Sequence, residues 1–411
     1  MRRHSALVIL IAAFSLVAAA CASTGTPSDG AGGDGDGVTI GVLVPLTGEA
    51  GAFGQIVADT AQLAVDEINA SGLNPCGQIN LVIADTQTNP EQGIREGNRL
   101  MDSVGVVAIV GPTSETMVAL VDSAITNEVV LFSPYAGSIS LNALGGNFVY
   151  RTVASDLDDG KAAGLWLVDR GYKRVAVLTQ NEESTISIGT AAADAARAQG
   201  VEIVADASFA PGQTSYQAEL SSVLASKPDG IFLAGGQQSG VTILKEATAL
   251  GYEGEWLLAA DMAVPEVIEG VGADLMEGIA FAELASADTD LPTYTAFAAL
   301  HKEKLGTEAG PFSANSWDMM NLIALAMNAA DGCTGAAIND ALRSVSSGGT
   351  VVSSYEEGAK ALANGTDIDY NGASGPVDID ETGSVTGSYA IVGVKNGEWT
   401  GVEFYSADTF K

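Results

Sequence analysis

The sequence predicts an α/β protein made of two doubly wound parallel-sheet units, and three observations predict it. Short apolar runs such as Val106-Val107-Ala108-Ile109-Val110 have no polar alternation, the mark of strands covered on both faces. Such runs alternate with helix-length amphipathic stretches from residue 38 to residue 282, the order of elements that builds parallel sheets. At 411 residues the chain is too long for one average domain and comfortable for two.

Residues 38–45 read as a strand. The Gly-rich loop Thr47-Gly48-Glu49-Ala50-Gly51-Ala52-Phe53-Gly54 follows, and then a helix to about Ala70. Its apolar positions Val57, Ala61, Ala64, Val65 and Ile68 keep the 3.6 period, and Gly72 supplies a stop. Ile79, Leu81 and Ile83 alternate as a strand. Asn89-Pro90-Glu91-Gln92 combines a cap, a first-turn proline and an N3 glutamine, so the next helix starts there, with Ile94, Leu100, Met101 and Val104 inward. The run 106–110 delivers Gly111-Pro112-Thr113-Ser114-Glu115, a turn opening straight into a helix. That helix carries Met117, Leu120, Val121, Ala124 and Ile125 on one face. Val129-Val130-Leu131-Phe132 is the next strand, ending in Ser133-Pro134-Tyr135-Ala136-Gly137-Ser138. Parallel pairing of these two strands sets two hydroxyl-bearing turns side by side at carboxyl ends, where open α/β sheets bind ligands.

Around residues 148–156 a second alternation begins. Helices at about 158–170, 190–199, 216–225 and 240–250 are interleaved with strands at 175–178, 201–204, 231–234, 256–259 and 278–282. Helices then follow at 293–305, 314–330 and 336–344, and a closing hairpin, 388–394 with 397–404, turns at Lys395-Asn396-Gly397.

The bulk properties exclude whole classes. A hydrophobic content of 47% with 17% charged residues describes a well-cored globular protein. With 18 Lys+Arg against 51 Asp+Glu, a formal charge of −33, the chain lacks the basic clusters that hold phosphate backbones, so nucleic acid is excluded as a partner. Met1-Arg2-Arg3-His4 is a positive segment and residues 6–20 an apolar one, too short for a membrane span and ending in small residues, as export signals do. Val17-Ala18-Ala19-Ala20-Cys21 resembles a bacterial lipobox, with Ala18 where leucine is commonest, so Cys21 is expected to carry the lipid. An ordinary secretion signal cut near Ala20 is the plainer alternative. Residues 22–37, rich in Gly, Ser, Thr and Asp, form a tether reaching about 20–24 Å r.m.s. as a flexible coil. In an exported chain the two remaining cysteines, Cys76 and Cys333, are expected to pair.

Catalytic constellations are missing. Apart from His4 there is one histidine, His301, which reads as a solvated helix residue beside Lys302, Glu303 and Lys304. Neither a zinc site nor a Cys–His nucleophile can be assembled, and no G-x-S-x-G elbow, P-loop or dinucleotide motif follows a strand. Residues 378–383 have an acidic pattern without calcium-loop spacing and read as a turn. No metal or cofactor is expected. The surviving candidates are strand-end polar groups. Ser114 opens a helix, where a hydroxyl and backbone N–H groups hold a carboxylate, or where Ser is a plain N-cap. The Tyr135–Ser138 turn offers carbonyls, a ring and a hydroxyl. Asp261, at the end of the 256–260 run, either pairs an ammonium or caps the next helix, and Gln237 and Gln238 are neutral hydrogen-bonders at a neighbouring strand end.

Taken together, residues 38–405 resemble the type I periplasmic substrate-binding proteins of ABC importers, in the leucine/isoleucine/valine branch. The segments that carry the resemblance are 38–47 with 51–69, Val110-Gly111-Pro112-Thr113-Ser114, Leu131-Phe132-Ser133-Pro134-Tyr135-Ala136, Met276-Glu277-Gly278 and Gly375-Pro376-Val377-Asp378. The resemblance implies two lobes joined by a three-crossover hinge, residues 38–154 plus about 284–386 and residues 155–283 plus about 387–411. By position it implies Ser114 on the ligand carboxylate, Tyr135, Ala136 and Ser138 as turn contacts, Asp261 on the α-ammonium, and Phe53 against the ligand side chain. Three departures stand out: Gly137 replaces a usual threonine, residues 180–189 hold no aromatic, and Gln237 stands where an aromatic is usual. The implied protein is a monomeric binding lipoprotein and not an enzyme, held to the outer face of a bacterial membrane through Cys21. It would hand an amino acid of branched-chain type to a permease by cleft closure. The same fold binding urea, an amide or an aromatic acid, or serving as a ligand-sensing subunit, is the alternative.

Overall fold

The computed structural model describes residues 37–48, 50–330 and 332–410; the export signal, Cys21 and the tether up to residue 36 lie outside the described residues. The chain runs through β1 (Val38–Val44), α1 (Gly51–Ser71), β2 (Ile79–Asp85), α2 (Pro90–Arg99), β3 (Ala108–Val110), α3 (Ser114–Asn127), β4 (Val130–Ser133) and β5 (Val149–Arg151). These five strands form one parallel sheet in the order β2-β1-β3-β4-β5. The pleat sorts their side chains onto two faces. Ile40, Val42, Ala108, Val110, Val130 and Phe132 face α1 and a later helix, while Leu43, Ile109, Leu131 and Val149 face α2 and α3.

The second alternation comprises α4 (Asp156–Asp169), β6 (Arg174–Gln180), α5 (Glu183–Ala198), β7 (Glu202–Phe209), α6 (Gln217–Ala225), β8 (Gly230–Ala234), α7 (Gln237–Ala249), β9 (Glu255–Leu258), α8 (Pro265–Val271), α9 (Ala273–Met276) and β10 (Ala280–Ala285). The chain then returns to the first sheet through α10 (Pro292–Leu305), α11 (Ser313–Ala329), α12 (Gly335–Ser346), β11 (Thr350–Val352), α13 (Tyr355–Ala363), β12 (Ile368–Gly372) and β13 (Gly375–Pro376). It ends in β14 (Tyr389–Lys395) and β15 (Glu398–Tyr405), which extend the second sheet to the order β15-β14-β10-β9-β8-β6-β7. There β14 alone runs against the rest, pairing antiparallel with β10 on one side and β15 on the other. Their two-residue turn has φ of +54° at Asn396 and +79° at Gly397, the left-handed geometry that selects Asn-Gly. Among the described residues no helix is long and apolar enough to cross a membrane.

The pairing of Cys76 with Cys333 is present, with Cα atoms 5.7 Å apart across 257 positions of sequence. It fastens the loop after α1 to the loop before α12. Residues 378–383 are a turn in which Asp380 accepts from Thr382 N, Thr382 Oγ1 and Ser384 N.

Four sequence expectations need correction. α1 begins at Gly51, inside the stretch expected to be a loop, because Gly54 lets the first turn lie on β1: a Cβ there would stand 1.9 Å from the Pro45 carbonyl oxygen. α5 begins at Glu183 and not near residue 190, since its amino terminus is satisfied from outside by Glu115. Ile125 is 37% exposed and off the inner face of α3. His301 is buried, not solvated: its Nδ1 lies 3.1 Å from the Thr307 carbonyl and its ring packs edge-on against Phe297. The small three-stranded β11-β12-β13 sheet and α13 carried too short a pattern to be assigned.

Candidate functional site

The carboxyl ends of both sheets meet at a cleft with two hollows, of about 110 and 70 Å3, that share Ser114, Tyr135, Ser184 and Asp261. β3 is followed by Gly111, whose φ of +79° turns the chain sharply; a Cβ there would strike Val44. Thr113, in extended conformation, is the N-cap of α3, so Ser114 is the first helical residue and not the cap. The first bond of the helix runs from Met117 N to Thr113 O at 2.8 Å. The N–H groups of Ser114, Glu115 and Thr116 therefore precede the ladder, and all three residues line the larger hollow. A helix start of this kind, with a hydroxyl beside it, is an anion site. The Ser114 Oγ accepts from Ser138 N at 3.4 Å, a weak contact that leaves the hydroxyl able to donate.

Tyr135 presents its ring to the cavity while its hydroxyl donates to the Gly111 carbonyl, bracing the β3 turn. Burial pushes that phenol far above its ordinary range, with Asp261 and Glu115 adding to the effect. Phe53, Tyr135 and Phe312 form an edge-to-face trio with centroids 4.8, 5.1 and 6.1 Å apart. Phe312 was invisible to the sequence pattern. It sits at φ +58°, a left-handed conformation for a bulky residue just ahead of α11, which aims its ring into the smaller hollow.

Asp261 lies on a single 3-10 turn after β9, held by Ala259 N to Leu233 O (2.9 Å) and by Met262, which is fully buried against Gly240. No group among the described residues donates to its carboxylate, whose pKa is pushed up to about 6 by burial and then by the Glu115 charge. Deeper in the smaller hollow stand Asp156 and Asp159, on the first turn of α4. Burial, then Asp159, pushes Asp156 up to about 8, against the pull of the Ser187 hydroxyl and Arg151. Asp159 lies within hydrogen-bond reach of the fully buried Glu283 of β10; desolvation and then Glu283 raise the Asp159 carboxyl, while desolvation and the Asp156 charge push Glu283 up to about 7 against the pull of Asp159. The buried Arg151 guanidinium is spent on Gly137 O, Ser138 O and Asn142 Oδ1, and burial lowers its pKa to about 10.

Three predicted contacts are not brought to either hollow. Ala136 is fully buried, its N–H donating to Ser133 Oγ at 3.1 Å. Ser138 is buried and its hydroxyl donates to Glu183 at 2.7 Å. Gln237 opens α7 and donates to the Asp261 backbone carbonyl at 3.3 Å, supporting the turn instead of lining the cavity. Sequence reading missed three links across the cleft, one of them from Ile139 N to Ser187 Oγ of α5 at 2.9 Å. Glu115 of α3 accepts from Ser184 N (2.9 Å) and Ser184 Oγ (2.6 Å), while Glu183 of α5 accepts from Ser138 and from Ser140 (2.6 Å). Glu115 stands in a first helical turn beside Ser114, and Glu182-Glu183-Ser184 follows β6 directly. A strand-end acid was the available signal in both cases.

Comparison with known proteins agrees with this architecture. The "Leu/Ile/Val-binding protein BraC3" of Rhizobium johnstonii is 26% identical over 289 residues, 70% of this chain and 77% of the relative. The "Leucine-, isoleucine-, valine-, threonine-, and alanine-binding protein" of Pseudomonas aeruginosa is 22% identical over 310 residues, 75% and 82% of the two chains. Among solved structures, the leucine binding protein LivK of Thermotoga maritima superposes with a TM-score of 0.78 at 25% identity, covering 90% of this chain and 99% of that one. LivJ of Streptococcus pneumoniae, solved with isoleucine, gives 0.76 at 23% identity, covering 90% and 100%. The family model described as "Periplasmic binding protein" matches residues 37–398, so the chain belongs to the periplasmic binding protein family.

Proposed function

We propose that the chain is an extracytoplasmic solute-binding protein that captures an α-amino acid and offers it to the permease of an ABC importer. The observation that carries this reading is the pairing, in one cavity, of an open helix start at Ser114 with the unpartnered Asp261 carboxylate. The first suits an α-carboxylate and the second an α-ammonium, and the aromatic trio beside them offers apolar surface to a side chain. Relatives named for leucine, isoleucine and valine support an amino acid and make these three the first ligands to test. Residues 38–154 with about 284–386 form one lobe, and residues 155–283 with about 387–411 the other. Support comes from three crossing segments, at residues 152–154, 285–287 and 386–388, that lie together around one small hollow, with Ser286 N donating to Ser388 O at 2.9 Å. Ligand contacts on both lobes would select the closed state by a hinge motion. Lipidation at Cys21 would hold the globule at the membrane, and a family of binding proteins gives no reason to assign an enzyme activity.

Calorimetry with leucine, isoleucine and valine against the same acids lacking the amino group tests the reading. Binding of the amino acids with loss in the des-amino series supports it; equal binding of both series overturns the amino-acid assignment.

A further inference from the structure

The charge of the cleft is lopsided. Glu115, Glu182, Asp156, Asp159 and Asp261 line the two hollows, and among the described residues no lysine, arginine or histidine lines either. Three of the five have local partners, Asp156 among them through the Ser187 hydroxyl. Glu115 is held by Ser184, and Glu182 accepts from Gln180 Nε2 at 2.9 Å. The α-ammonium of an amino acid would neutralise Asp261. That leaves Asp156 and Asp159 at the floor of the smaller hollow, with the fully buried Glu283 and Tyr389 immediately behind them.

This second group is not internally balanced. The Asp159 Oδ1, both Glu283 oxygens and the Tyr389 hydroxyl are shut off from solvent, and none has a hydrogen-bond partner while the carboxyls are ionised. A proton shared between Asp159 and Glu283 satisfies one contact and still leaves a net negative charge on the pair. Among the described residues Arg151 is the nearby cation: its Nη groups go to two carbonyls and Asn142 and its Nε has no partner, so its charge offsets part of that on Asp156 without donating to Asp159 or Glu283. Buried charge is costly unless paired, so a cation reaching these carboxyls would relieve that cost. A metal ion is a poor match, since no group of three or more metal-ligating side chains converges among the described residues. The path to the floor passes the Phe53, Tyr135 and Phe312 rings, whose faces accommodate both methylene groups and a cation.

We infer that the preferred ligand is an α-amino acid whose side chain ends in a cation, an ammonium or guanidinium seated on Asp159 and Asp156. The inference rests on the amino-acid reading above and adds the class of side chain to it. Lysine and norleucine separate the two, because they share a carbon chain and differ by the terminal ammonium.

Isothermal titration of the full mature chain with L-lysine and with L-norleucine is the experiment, repeated on Asp159→Asn and Asp159→Glu. The wild type should bind lysine at least about thirtyfold more tightly than norleucine, the lower bound for one partner of a buried charge pair. Asp159→Asn should erase most of that ratio by weakening lysine while leaving norleucine in place, and Asp159→Glu should keep it. Equal or tighter binding of norleucine by the wild type overturns the inference and leaves the amino-acid reading standing. An undiminished ratio in Asp159→Asn also overturns it, because the preference would then arise elsewhere. Failure of lysine, norleucine and leucine alike would bring down the amino-acid reading itself.

Discussion

Replacing Asp261 by Asn should make the empty protein more stable while destroying ligand binding, a pair of opposite effects that few substitutions share. In the unfolded chain this carboxyl ionises near 3.8, and in the fold it does so at about 6 because burial and Glu115 resist the charge. A raised acid pKa means the folded state is penalised above pH 6, and the penalty disappears as pH falls below 3.8. The shift corresponds to about 3 kcal/mol at most, shrinking to about 1 kcal/mol at pH 4.5. Unfolding entropy is about 2.1 cal/mol/K per residue. Over residues 36–411, this makes the gain at pH 8 about 4 °C in Tm. The same substitution removes the partner of the ligand's ammonium and should raise Kd about thirtyfold to several-thousandfold. Scanning fluorimetry at pH 8 and pH 4.5, with and without leucine and lysine, reads both effects. An Asn variant that still responds to ligand refutes the role of Asp261. One that loses ligand and is also less stable at pH 8 refutes the electrostatic account, because the carboxylate would then be a structural group.

Two further outcomes follow from contacts far from Asp261. Glu183→Ala deletes both bonds that α5 makes to Ser138 and Ser140 across the cleft, removing about 2 kcal/mol or more of stability from any state that contains them. Ligand Kd should rise about thirtyfold, and small-angle scattering of the saturated protein should show a larger radius of gyration; unchanged affinity would mean that ligand binding does not draw on these bonds. Cys76→Ser with Cys333→Ser opens a loop of 257 positions, whose chain entropy is worth roughly 5 kcal/mol. Denaturant midpoints should fall accordingly while leucine and lysine affinities hold, and a loss of affinity would tie the bridge to the cleft.

Much of the architecture was legible because doubly wound sheets write themselves into local pattern. The runs 106–110 and 129–132 are strands buried on both faces, and the turns that end them carry Ser114 and Tyr135. Asp261 was found by the same rule, as the acid just past a buried strand. What stayed hidden depended on partners distant in sequence. The start of α5 could not be placed because its terminal N–H is satisfied by Glu115, 69 positions earlier. Ser138 looked available until Glu183, 45 positions later, took its hydroxyl. His301 looked solvated among charged neighbours, and only the packing of α10 shows Phe297 against its ring. Phe312 depends on a left-handed backbone that tertiary packing imposes. Asp159 and Glu283 lie 124 positions apart, and nothing local to either announces the other.

The two helix starts at the cleft are chemically alike and yet not equivalent, and the difference indicates which one waits for a ligand. α3 and α5 both begin at the carboxyl end of a strand and both carry a glutamate in the first turn. Glu115 reaches over and occupies the start of α5, accepting from Ser184 N as a ligand carboxylate would. Glu183 does not return the favour: it takes the hydroxyls of Ser138 and Ser140 and leaves the first N–H groups of α3 to the cavity. Of these two helix starts, the one beside Ser114 is the one left open to a ligand carboxylate. In the proposed binding mode the negative end of an amino acid would sit at the start of α3, where Glu115 is already engaged by Ser184, and its positive end would face Asp261, Asp156 and Asp159. Reversing the ligand would set a carboxylate against Asp261, Asp156 and Asp159 at once, so the orientation is enforced as much by repulsion as by the anchor itself.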